Sequence, residues 1–500
     1  MSIRAVIGVD CGGSSSKATL LDENGKIVAT STDGYPSLYP HSGWIEQDTN
    51  DIWNSFIKNV RFLVQISQNE GYSIVGLAVD AATHMAVLCD KDDKPIRPVI
   101  YWSDSRSSDY AEELKRVNSD LVKKYSVNSP SAAWTLPQLL WIKENEPETL
   151  KKTKKIYFLK DYIRSRVTGD FYTDLIEAMG AMLADDYTET WCKDYCDLVG
   201  INVDCLPEIK KPSDVAGTVS KEFSALSGMP EGIPVIVGTT DTVLEVFAAG
   251  AVRQGDATVK LATAGRICPV MDRPIPSYQF FNYKHLIPGL WYPGSGTKTC
   301  AASLDWFARA FKGTESAQND YINIILQEAE KISPGSEGII FHPFLLGEMT
   351  PYYDNKLRAG FNGVGIQHTR AHFIRSVLEG VAFSMRDCLN EIRKYNVEFE
   401  NVKLIGGGAR SPLWRQILAD ILGMKLQYVA GTDSSLGSAM LAGFSVGLFK
   451  DLYSAVSIFD RNPIIIEPLS ENVEIYNKCF ENYKIVQRAM SVAYHSIEEL

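Results

Sequence analysis

Two aspartates stand where predicted β-strands end. Asp10 closes an apolar run that begins at Ala5, and Asp241 comes just after a predicted strand over Ile233–Gly238. In an open α/β sheet, ligands bind at the carboxyl ends of the strands. A carboxylate there can hold Mg²⁺ through water or accept a proton from a substrate hydroxyl. The two residues therefore indicate a cation or general-base site, although a single aspartate in such a position also fits a helix cap.

Two tight turns consist of small residues. Cys11–Ser16 follows the strand that ends at Asp10, and Ala262–Gly265 follows a predicted strand over Asp256–Leu261. Glycine, serine and threonine let backbone N–H groups and hydroxyls point at one place, which suits phosphate oxygens. Neither turn has the Gly-x-x-x-x-Gly-Lys-[Ser/Thr] pattern of P-loop proteins. Each turn alone fits an ordinary hairpin, but the repeated layout favours two loops that hold a polyphosphate.

A third glycine-rich segment, Gly406–Gly408, lies between a predicted strand and a predicted helix. The strand covers Val402–Ile405, and Pro412 opens the helix as a first-turn residue. Glycines permit close approach of a bulky ligand to the backbone, and a helix N-terminus favours anions. The spacing is not Gly-x-Gly-x-x-Gly, so a dinucleotide site is weakly supported. A ligand-contacting loop and a simple helix entry both remain open.

A mixed aromatic and polar cluster is the fourth candidate. It offers an aromatic plane together with hydroxyl, imidazole, carboxylate and guanidinium groups. Sugars are bound by such sets, with the carbon chain on the aromatic face and the hydroxyls hydrogen-bonded to fixed polar side chains. A core histidine at His84 and a surface ion pair of Asp104 with Arg106 are the alternative interpretations. The candidate residues are Thr83, His84, Met85, Trp102, Asp104 and Arg106.

Strands that alternate with helices must position these residues. A helix over residues 51–70 has Ile52 and Phe56 on one face, and predicted strands lie on both sides of it. This alternation predicts an α/β layered fold. A chain of 500 residues suggests two or three domains. Because each half carries one strand–turn–strand unit, we expect a duplicated, two-lobed chain with a cleft between the lobes and a boundary near 245–255.

Composition excludes several classes of protein. Lys and Arg total 50 against 61 Asp and Glu, a net charge of −11, which gives no electrostatic footprint for nucleic acid or an anionic membrane surface. No run approaches the roughly 18 apolar residues of a spanning helix. The N-terminus predicts a strand rather than a signal peptide. Nine dispersed cysteines, an odd number, favour reduced thiols. We therefore expect a cytoplasmic protein without nucleic-acid or membrane partners.

Taken together, these segments resemble the FGGY family of carbohydrate kinases, within the actin-like ATPase superfamily. They occur in family order across nearly the whole chain. Within the family, the chain is most similar to the xylulose kinases, through Phe158–Tyr162 and Ile405–Trp414. The stretches that carry the family resemblance are Gly8–Lys17, Gly43–Asp48, Trp102–Arg106, Gly238–Asp241, Leu261–Gly265 and Leu404–Ser411.

The resemblance implies a fold and a set of roles. The fold is α/β, with two actin-like (ribonuclease H-like) lobes and an ATP/sugar cleft between them. Residues 1–248 would bind the sugar and supply the first phosphate loop, and residues 249–500 would supply the second loop and the adenosine site. Asp241 matches the catalytic base, Asp10 and Asp241 match the Mg²⁺ site, and His84 falls in a sugar-binding motif. The implied ATP-binding residues are Gly12, Gly13, Ser14, Ser15, Lys17, Thr263, Ala264, Gly265, Gly406, Gly407, Gly408 and Arg410.

The chain departs from the family pattern at a few positions. His84 alone is kept from a Met-His-Gly motif of the xylulose kinases, with Thr83 before it and Met85 after it. Glycerol kinases carry Arg-Glu at this place, so glycerol is disfavoured. The first turn has Gly13 where relatives carry threonine, and the second has Ala262 where relatives carry glycine. These differences bear on the identity of the sugar rather than on the fold.

The sequence thus predicts ATP-dependent phosphorylation of a small open-chain sugar, with D-xylulose to D-xylulose 5-phosphate as the leading reaction. Gluconate, ribulose or another ketose or polyol are alternative acceptors. A non-enzymatic, nucleotide-gated binding protein with the same actin-like core is the least favoured alternative. The implied cofactors are ATP and Mg²⁺, and a homodimer would agree with the resemblance.

Overall fold

The alternating strands and helices fold into two units that interleave along the chain. A computed structural model describes residues 2–311, 318–459 and 463–497. The first unit takes residues 1–252, 283–291 and 432–460, and the second takes residues 253–282, 292–431 and 461–500. The division into a sugar-binding part, residues 1–248, and an adenosine-binding part, residues 249–500, stays a prediction.

The first unit is built on a mixed sheet, which has six strands within the described residues. Its order is β5-β6-β4-β1-β2-β3, in which β1, β2 and β3 form an antiparallel meander and β4 and β6 run parallel to β1. The edge strand β5 is antiparallel to β6. The strands are β1 (Ile3–Cys11), β2 (Ser15–Asp22), β3 (Ile27–Gly34), β4 (Tyr72–Ala81), β5 (Val215–Thr218) and β6 (Pro234–Ile236).

The second unit repeats this plan. Among the residues described, its sheet also has six strands, in the order β9-β8-β7-β10-β11-β12. An antiparallel meander of β7, β8 and β9 is again followed by two parallel strands and an antiparallel edge strand. The strands are β7 (Asp256–Leu261), β8 (Gly265–Pro269), β9 (Ser295–Thr297), β10 (Asn401–Ile405), β11 (Leu426–Tyr428) and β12 (Ile464–Ile466).

Helices and short two-stranded ribbons complete the units. The ribbons pair Glu46–Gln47 with Val99–Ile100, Ala86–Cys89 with Lys155–Phe158, Tyr172–Asp174 with Glu208–Lys210, Ala184–Asp185 with Thr190–Trp191, and Ile340–His342 with Gly360–Asn362. The helices are α1 (Thr49–Glu70), α2 (Ser108–Arg116), α3 (Ser119–Tyr125), α4 (Thr135–Asn145), α5 (Pro147–Lys152), α6 (Leu159–Thr168), α7 (Leu175–Gly180), α8 (Lys193–Val199), α9 (Lys221–Ser227), α10 (Asp241–Ala248), α11 (Ala301–Ala310), α12 (Gln318–Ala329), α13 (Arg370–Arg393), α14 (Pro412–Leu422), α15 (Ser434–Ser445), α16 (Leu452–Ser457) and α17 (Ser470–Ser496).

Each sheet has its own apolar core. In the first unit, α1 buries Ile52 and Phe56 against the sheet, and Asp48 caps the helix by accepting from the Asn50 N–H at 2.8 Å. In the second unit, α13 and α14 supply the core, with Trp414 fully enclosed. The predicted α/β class with a repeated strand–turn–strand unit is confirmed.

One predicted strand is too long. The sequence predicts a strand over Ile233–Gly238, whereas β6 covers only Pro234–Ile236. Gly232 and Gly238 adopt φ angles of 83° and 75°, in the left-handed region, so the extended segment is confined to residues between them. Within the described part of the chain, no helix combines the length and apolar character needed to cross a membrane.

Candidate active site

Asp10 lies opposite a second aspartate that the sequence prediction missed. In the parallel pair of β1 and β4, Asp10 is in register with Asp80. Asp80 is fully buried, and the Oδ1 atoms of both residues are buried without a hydrogen-bond donor. Desolvation raises the pKa of Asp10 to about 6 and raises the pKa of Asp80 well above its usual range, where the Asp10 charge adds to the effect. Two carboxyl groups therefore lie side by side on neighbouring strands of the sheet.

Helix α15 supports this carboxyl pair. It packs on β1 so closely that a Cβ at Gly8 would lie 2.1 Å from the Ala439 nitrogen. Ser438 on the helix donates its hydroxyl hydrogen bond to Asp80. The helix is capped by Asp433, which accepts from the Leu436 N–H at 3.1 Å. A residue more than 350 positions away in sequence therefore holds the strand end where Asp80 lies.

Lys17, a predicted ATP ligand, is paired with that same capping residue. Its Nζ forms an ion pair with Asp433 Oδ2. Asp433 Oδ1 also accepts from the Ser435 hydroxyl at 2.6 Å. The contact fixes the lysine beside the first turn, and its role toward ATP stays a prediction.

Two polar side chains donate hydrogen bonds to backbone carbonyl groups of the first turn. Tyr35 donates its hydroxyl hydrogen bond to the Gly12 carbonyl, and Gln47 Nε2 donates to the Gly13 carbonyl at 2.7 Å. A Cβ at Gly13 would lie 1.9 Å from the Tyr101 hydroxyl oxygen, so a larger residue there would require Tyr101 to move. Because Gln47 and Tyr35 bind carbonyl oxygens of the turn, they fix its backbone conformation in advance of any ligand.

Asp241 is the first residue of α10, and Thr240 is the N-cap residue. Asp241 is therefore not the N-cap residue by position, although its carboxylate accepts from an N–H of the first turn of α10. Its Oδ1 accepts from the Thr242 N–H at 2.7 Å. Its charge contributes to the raised pKa of Asp80 and to the rise in the pKa of Tyr101 to about 12, for which burial is the main cause. Asp241 is thus electrostatically coupled to the end of β4 and to the residue that packs on the first turn.

His84 is buried, with one ring nitrogen hydrogen-bonded and the other close to a carboxylate. Its backbone N–H donates to Glu177 Oε1 at 2.8 Å, and its Nδ1 lies 3.3 Å from the same oxygen. Its Nε2 lies 2.9 Å from the Tyr283 hydroxyl oxygen, and the two rings stack. The backbone φ of 63° is unusual for histidine, and a Cβ at Gly180 would overlap the ring. The Tyr283 hydroxyl therefore orients the imidazole, the Glu177 carboxylate lies beside Nδ1, and a contact of His84 with a sugar stays a prediction.

The neighbours of His84 have different environments. Thr83 is half-buried, whereas Met85 is fully enclosed in the apolar core of the first unit. Trp102 is half-buried and its ring packs against Tyr101. Core packing accounts for Met85 without a ligand, so its contact with a sugar stays a prediction.

Asp104 and Arg106 form a buried ion pair rather than the surface pair considered from the sequence. Arg106 Nη2 lies 2.8 Å from Asp104 Oδ2, and its Nη1 lies 2.7 Å from Glu46 Oε1. The guanidinium stacks 3.9 Å from the centroid of Trp44. These contacts position the segment after Trp102, and a direct sugar contact of either charge stays a prediction.

The turn of the second unit is built differently. It comprises residues 262–264, and Gly265 already pairs with Leu261 across the hairpin. Thr263 is exposed, and its carbonyl accepts from the Cys300 N–H at 2.9 Å. A Cβ at Gly265 would lie 2.4 Å from Met385 Sδ. Close packing therefore requires this glycine, whereas Thr263 presents its side chain to solvent.

Two of the three consecutive glycines are explained by packing. A Cβ at Gly406 would lie 2.5 Å from the Leu261 carbonyl oxygen, and one at Gly408 would lie 2.9 Å from Leu261 Cγ. Gly407 is exposed, and a Cβ added there would meet no atom within 4 Å. Arg410 is exposed as well. Gly407 is thus the glycine of the three that packing does not explain.

Comparison with known proteins identifies the family. The family model described as "FGGY family of carbohydrate kinases, N-terminal domain" matches residues 5–248, and the corresponding C-terminal domain matches residues 264–446. The chain belongs to the FGGY family of carbohydrate kinases. The predicted family and the predicted enzyme class, a carbohydrate kinase, are confirmed.

Relatives of this kinase cover its whole length. The xylulose kinase of Bacillus subtilis (strain 168) is 32% identical over 489 residues, which are 96% of each chain. The gluconokinase of Bacillus licheniformis is 27% identical and covers 98% of this chain and 97% of its own. The structure of xylulose kinase from Rhodospirillum rubrum has a TM-score of 0.89 at 26% identity, covering 98% of this chain and 100% of its own. These matches confirm the two-domain kinase fold.

The structure adds residues to the candidate site that the motifs did not mark. Asp80 closes an apolar run that begins at Ile74, so its position in the sequence was a usable signal. Glu177, Tyr283 and Asp433 lie in segments without a recognisable pattern, and they reach the site only through tertiary contacts. Their contribution is visible in the folded chain alone.

Proposed function

We propose that this kinase transfers the γ-phosphoryl group of ATP to the terminal hydroxyl of an open-chain ketose, converting D-xylulose to D-xylulose 5-phosphate. The observation that carries the proposal is the position of Asp241. It begins α10, separated from the end of β6 by residues 237–240, and its charge adds to the raised pKa of Asp80. The similarity to xylulose kinases over nearly the entire chain supports the choice of sugar.

In this proposal Asp241 accepts the proton of the sugar hydroxyl. The hydroxyl oxygen forms a bond to the γ-phosphorus, the bond from that phosphorus to the bridging oxygen breaks, and its electron pair leaves with ADP. The Thr242 N–H bond to Oδ1 fixes the orientation of the carboxylate. In phosphoryl transfer the protein contributes mainly positioning and charge stabilisation, so a fixed base is what the chemistry requires.

Mg²⁺ fits the carboxylate donors of the first unit. The buried Oδ1 of Asp10 has no hydrogen-bond donor, and Asp241 is the second proposed ligand. Among the described residues, no group of three or more His, Cys, Asp or Glu side chains is arranged to hold a metal. Mg²⁺ is commonly bound through one or two carboxylates, with waters and substrate phosphates as its other ligands. A Mg²⁺ ion held there would offset the negative charge of the phosphate oxygens.

The ATP phosphates are assigned to the two turns. We expect Gly12–Ser15 of the first unit and Thr263–Gly265 of the second to donate backbone N–H and hydroxyl hydrogen bonds to them. Lys17 and Arg410 would add positive charge. Gly407 is assigned to the adenosine side, because it is the glycine with open space beside it.

Recognition of the sugar is assigned to the surroundings of His84. The Glu177 carboxylate lies beside the imidazole, and the Trp102 ring offers an apolar face. Asp104 and Arg106 would hold Trp102 in place and so act on the sugar indirectly. Thr83 and Met85, which flank His84 in the sequence, are the remaining residues assigned to sugar binding.

Gluconate is the second candidate acceptor, because gluconokinases are also similar to the chain over its full length. Release of ADP from MgATP should be measured with D-xylulose, D-ribulose, gluconate, glycerol and hexuloses. We expect the highest kcat/KM on D-xylulose. A higher value on gluconate would replace the sugar while keeping the phosphoryl transfer, and absence of turnover with every acceptor would overturn the proposal. The cytoplasmic location, the lack of nucleic-acid partners and the homodimer remain predictions.

A further inference from the structure

The Phe158–Tyr162 segment carries two charges that the proposed chemistry does not use. The side chains of Lys160 and Asp161 are 1% and 0% exposed. Burial of an ionised group is costly unless it is paired and hydrogen-bonded. Paired charges of this kind can hold backbone segments in one arrangement. The contacts of this pair therefore indicate what it positions.

The pair belongs to a buried ionic network within the first unit. Lys160 Nζ lies 2.6 Å from Asp161 Oδ1 and 3.0 Å from Asp174 Oδ1. Arg164 Nη1 lies 2.7 Å from Asp161 Oδ1, and its Nη2 lies 2.7 Å from Asp170 Oδ1. All five side chains are at most 3% exposed. Each cation therefore contacts two carboxylates, which restrains the side chains of the network.

This network holds the loop that leads to the proposed base. Residues 237–240, the base loop, connect β6 with α10. Asp174 Oδ2 accepts from the Thr239 hydroxyl at 2.8 Å, and Arg164 Nη1 donates to the Val237 carbonyl. Thr239 is fully buried and lies two residues before Asp241. The base loop is thus fixed at two points by one ionic network.

The same carboxylate oxygen also holds the histidine side of the site. Asp174 caps α7, and its Oδ2 accepts from the Ile176 N–H at 3.0 Å and the Glu177 N–H at 3.4 Å. Glu177 in turn accepts from the His84 N–H at 2.8 Å. One fixed carboxylate therefore connects the segment that carries Asp241 with the helix that orients His84.

We infer that Asp174 and Thr239 are positioning residues for phosphoryl transfer, with the Thr239 hydroxyl as the contact through which the buried ionic network places Asp241. This inference rests on the proposed function, in which Asp241 is the base. A displacement of a reacting group by about 1 Å can cost about 10²-fold in rate. Loss of the contact should therefore lower kcat while substrate binding is kept.

The test replaces the hydroxyl while keeping the shape of the side chain. Thr239→Val removes the hydrogen bond to Asp174, and Thr239→Ser keeps it. We expect Thr239→Val to lower kcat about 10- to 100-fold, with the KM values for sugar and ATP little changed, and Thr239→Ser to restore most of kcat. Thr153→Val is the matched control, because Thr153 is also buried and donates its hydroxyl to the Thr149 carbonyl at 2.9 Å. It should retain the kcat of the wild type.

A second variant reports on the connection to His84. Asp174→Asn keeps an acceptor oxygen but loses the charge that pairs with Lys160. We expect it to lower kcat and also to raise the KM for the sugar, because the cap of α7 is weakened. Melting temperatures of all variants identify any that fail to fold. If Thr239→Val is one of them, the kinetics of Asp174→Asn decide the inference.

Three results would overturn the inference. The first is a folded Thr239→Val with the kcat of the wild type. The second is an equal loss of kcat in the valine and serine variants, which would mean that packing rather than the hydrogen bond matters. The third is an Asp174→Asn variant with unchanged kcat and KM. Absence of sugar kinase turnover in the wild type would overturn the proposed function itself, and the inference with it.

Discussion

The two units share a strand order, but they differ in the residues at equivalent strand ends. In the first unit, Asp10 is one residue from the end of β1 and faces Asp80 on the neighbouring parallel strand. In the second unit, the equivalent position on β7 is Lys260, and it faces Ile405 on β10. The two sheets therefore share a strand order, but the first has an acidic pair at this position and the second does not.

Under the proposed function, this difference gives the two units separate tasks. Carboxylates can organise a cation and accept a proton, whereas a carboxylate close to ATP phosphates without a cation would repel them. In the proposed function the first unit supplies the carboxylates Asp10 and Asp241, and the second supplies a turn with Thr263 and the glycines Gly406–Gly408. The fold thus repeats the strand–turn–strand unit, and the proposal places the catalytic base in the first copy.

Substitution of Asp10 tests this separation of tasks, and it has the largest expected effect on kcat among the comparisons between the two units. We expect Asp10→Asn to lower kcat about 10²- to 10³-fold, because it removes a carboxylate proposed to hold the Mg²⁺ that offsets the charge of the phosphates. Lys260→Gln at the equivalent position of the second unit is the matched variant, and its kcat should stay within about threefold of the wild type. Steady-state kinetics at saturating MgATP measure both. Similar losses in the two variants would remove the asymmetry between the units.

Glycine substitutions compare the two turns. Gly13→Ala and Gly265→Ala should each lower the unfolding free energy by about 1–3 kcal/mol, since the added methyl group overlaps Tyr101 or Met385. Gly407→Ala meets no atom within 4 Å and should leave stability nearly unchanged. Urea unfolding measures the three values. A tolerated Gly13→Ala would contradict the close packing of the first turn on Tyr101.

The acidic pair also predicts how stability depends on pH when no divalent cation is present. Because the pKa of folded Asp10 is raised from 3.8 to about 6, the folded state keeps a proton that the unfolded chain has released. The unfolding free energy from this group therefore falls as pH rises from about 4 to 6, and levels off above 6. Asp80, whose pKa is also raised, extends the fall to higher pH.

The variant Asp80→Asn isolates this contribution. It removes one buried carboxyl group and keeps an acceptor for Ser438, so it should stabilise the cation-free protein more at pH 8 than at pH 5. Urea midpoints of wild type and variant in the presence of a chelator give the difference. An equal effect at both pH values, or a destabilised variant at pH 8, would contradict the description of the pair as two crowded carboxyl groups.

Much of the fold could be predicted because it depends on local signals. Apolar runs and small-residue turns mark β1, β2, β7 and β8, and Pro412 marks the first residue of α14. The limits of β6 were missed because the positive φ of Gly232 and Gly238 depends on the surrounding chain.

The site was only partly predictable, because its supporting contacts are distant in sequence. His84 meets Tyr283 across 199 positions, and Asp80 meets Ser438 across 358. No periodicity or motif connects such pairs. Arg106 shows the converse case, in which a residue with the right type for sugar binding has its guanidinium paired with Asp104 and Glu46.

The most direct test of the account is the variant Asp241→Asn. Its kcat should be measured with the preferred sugar, and its affinity for MgATP should be measured by calorimetry. The account predicts a loss of kcat of about 10³-fold or more, with the affinity for ATP within a few-fold of the wild type. Asp451→Asn, which alters a helix-capping aspartate of the same unit, should behave like the wild type. Wild-type turnover in Asp241→Asn would contradict the role of Asp241 as the base.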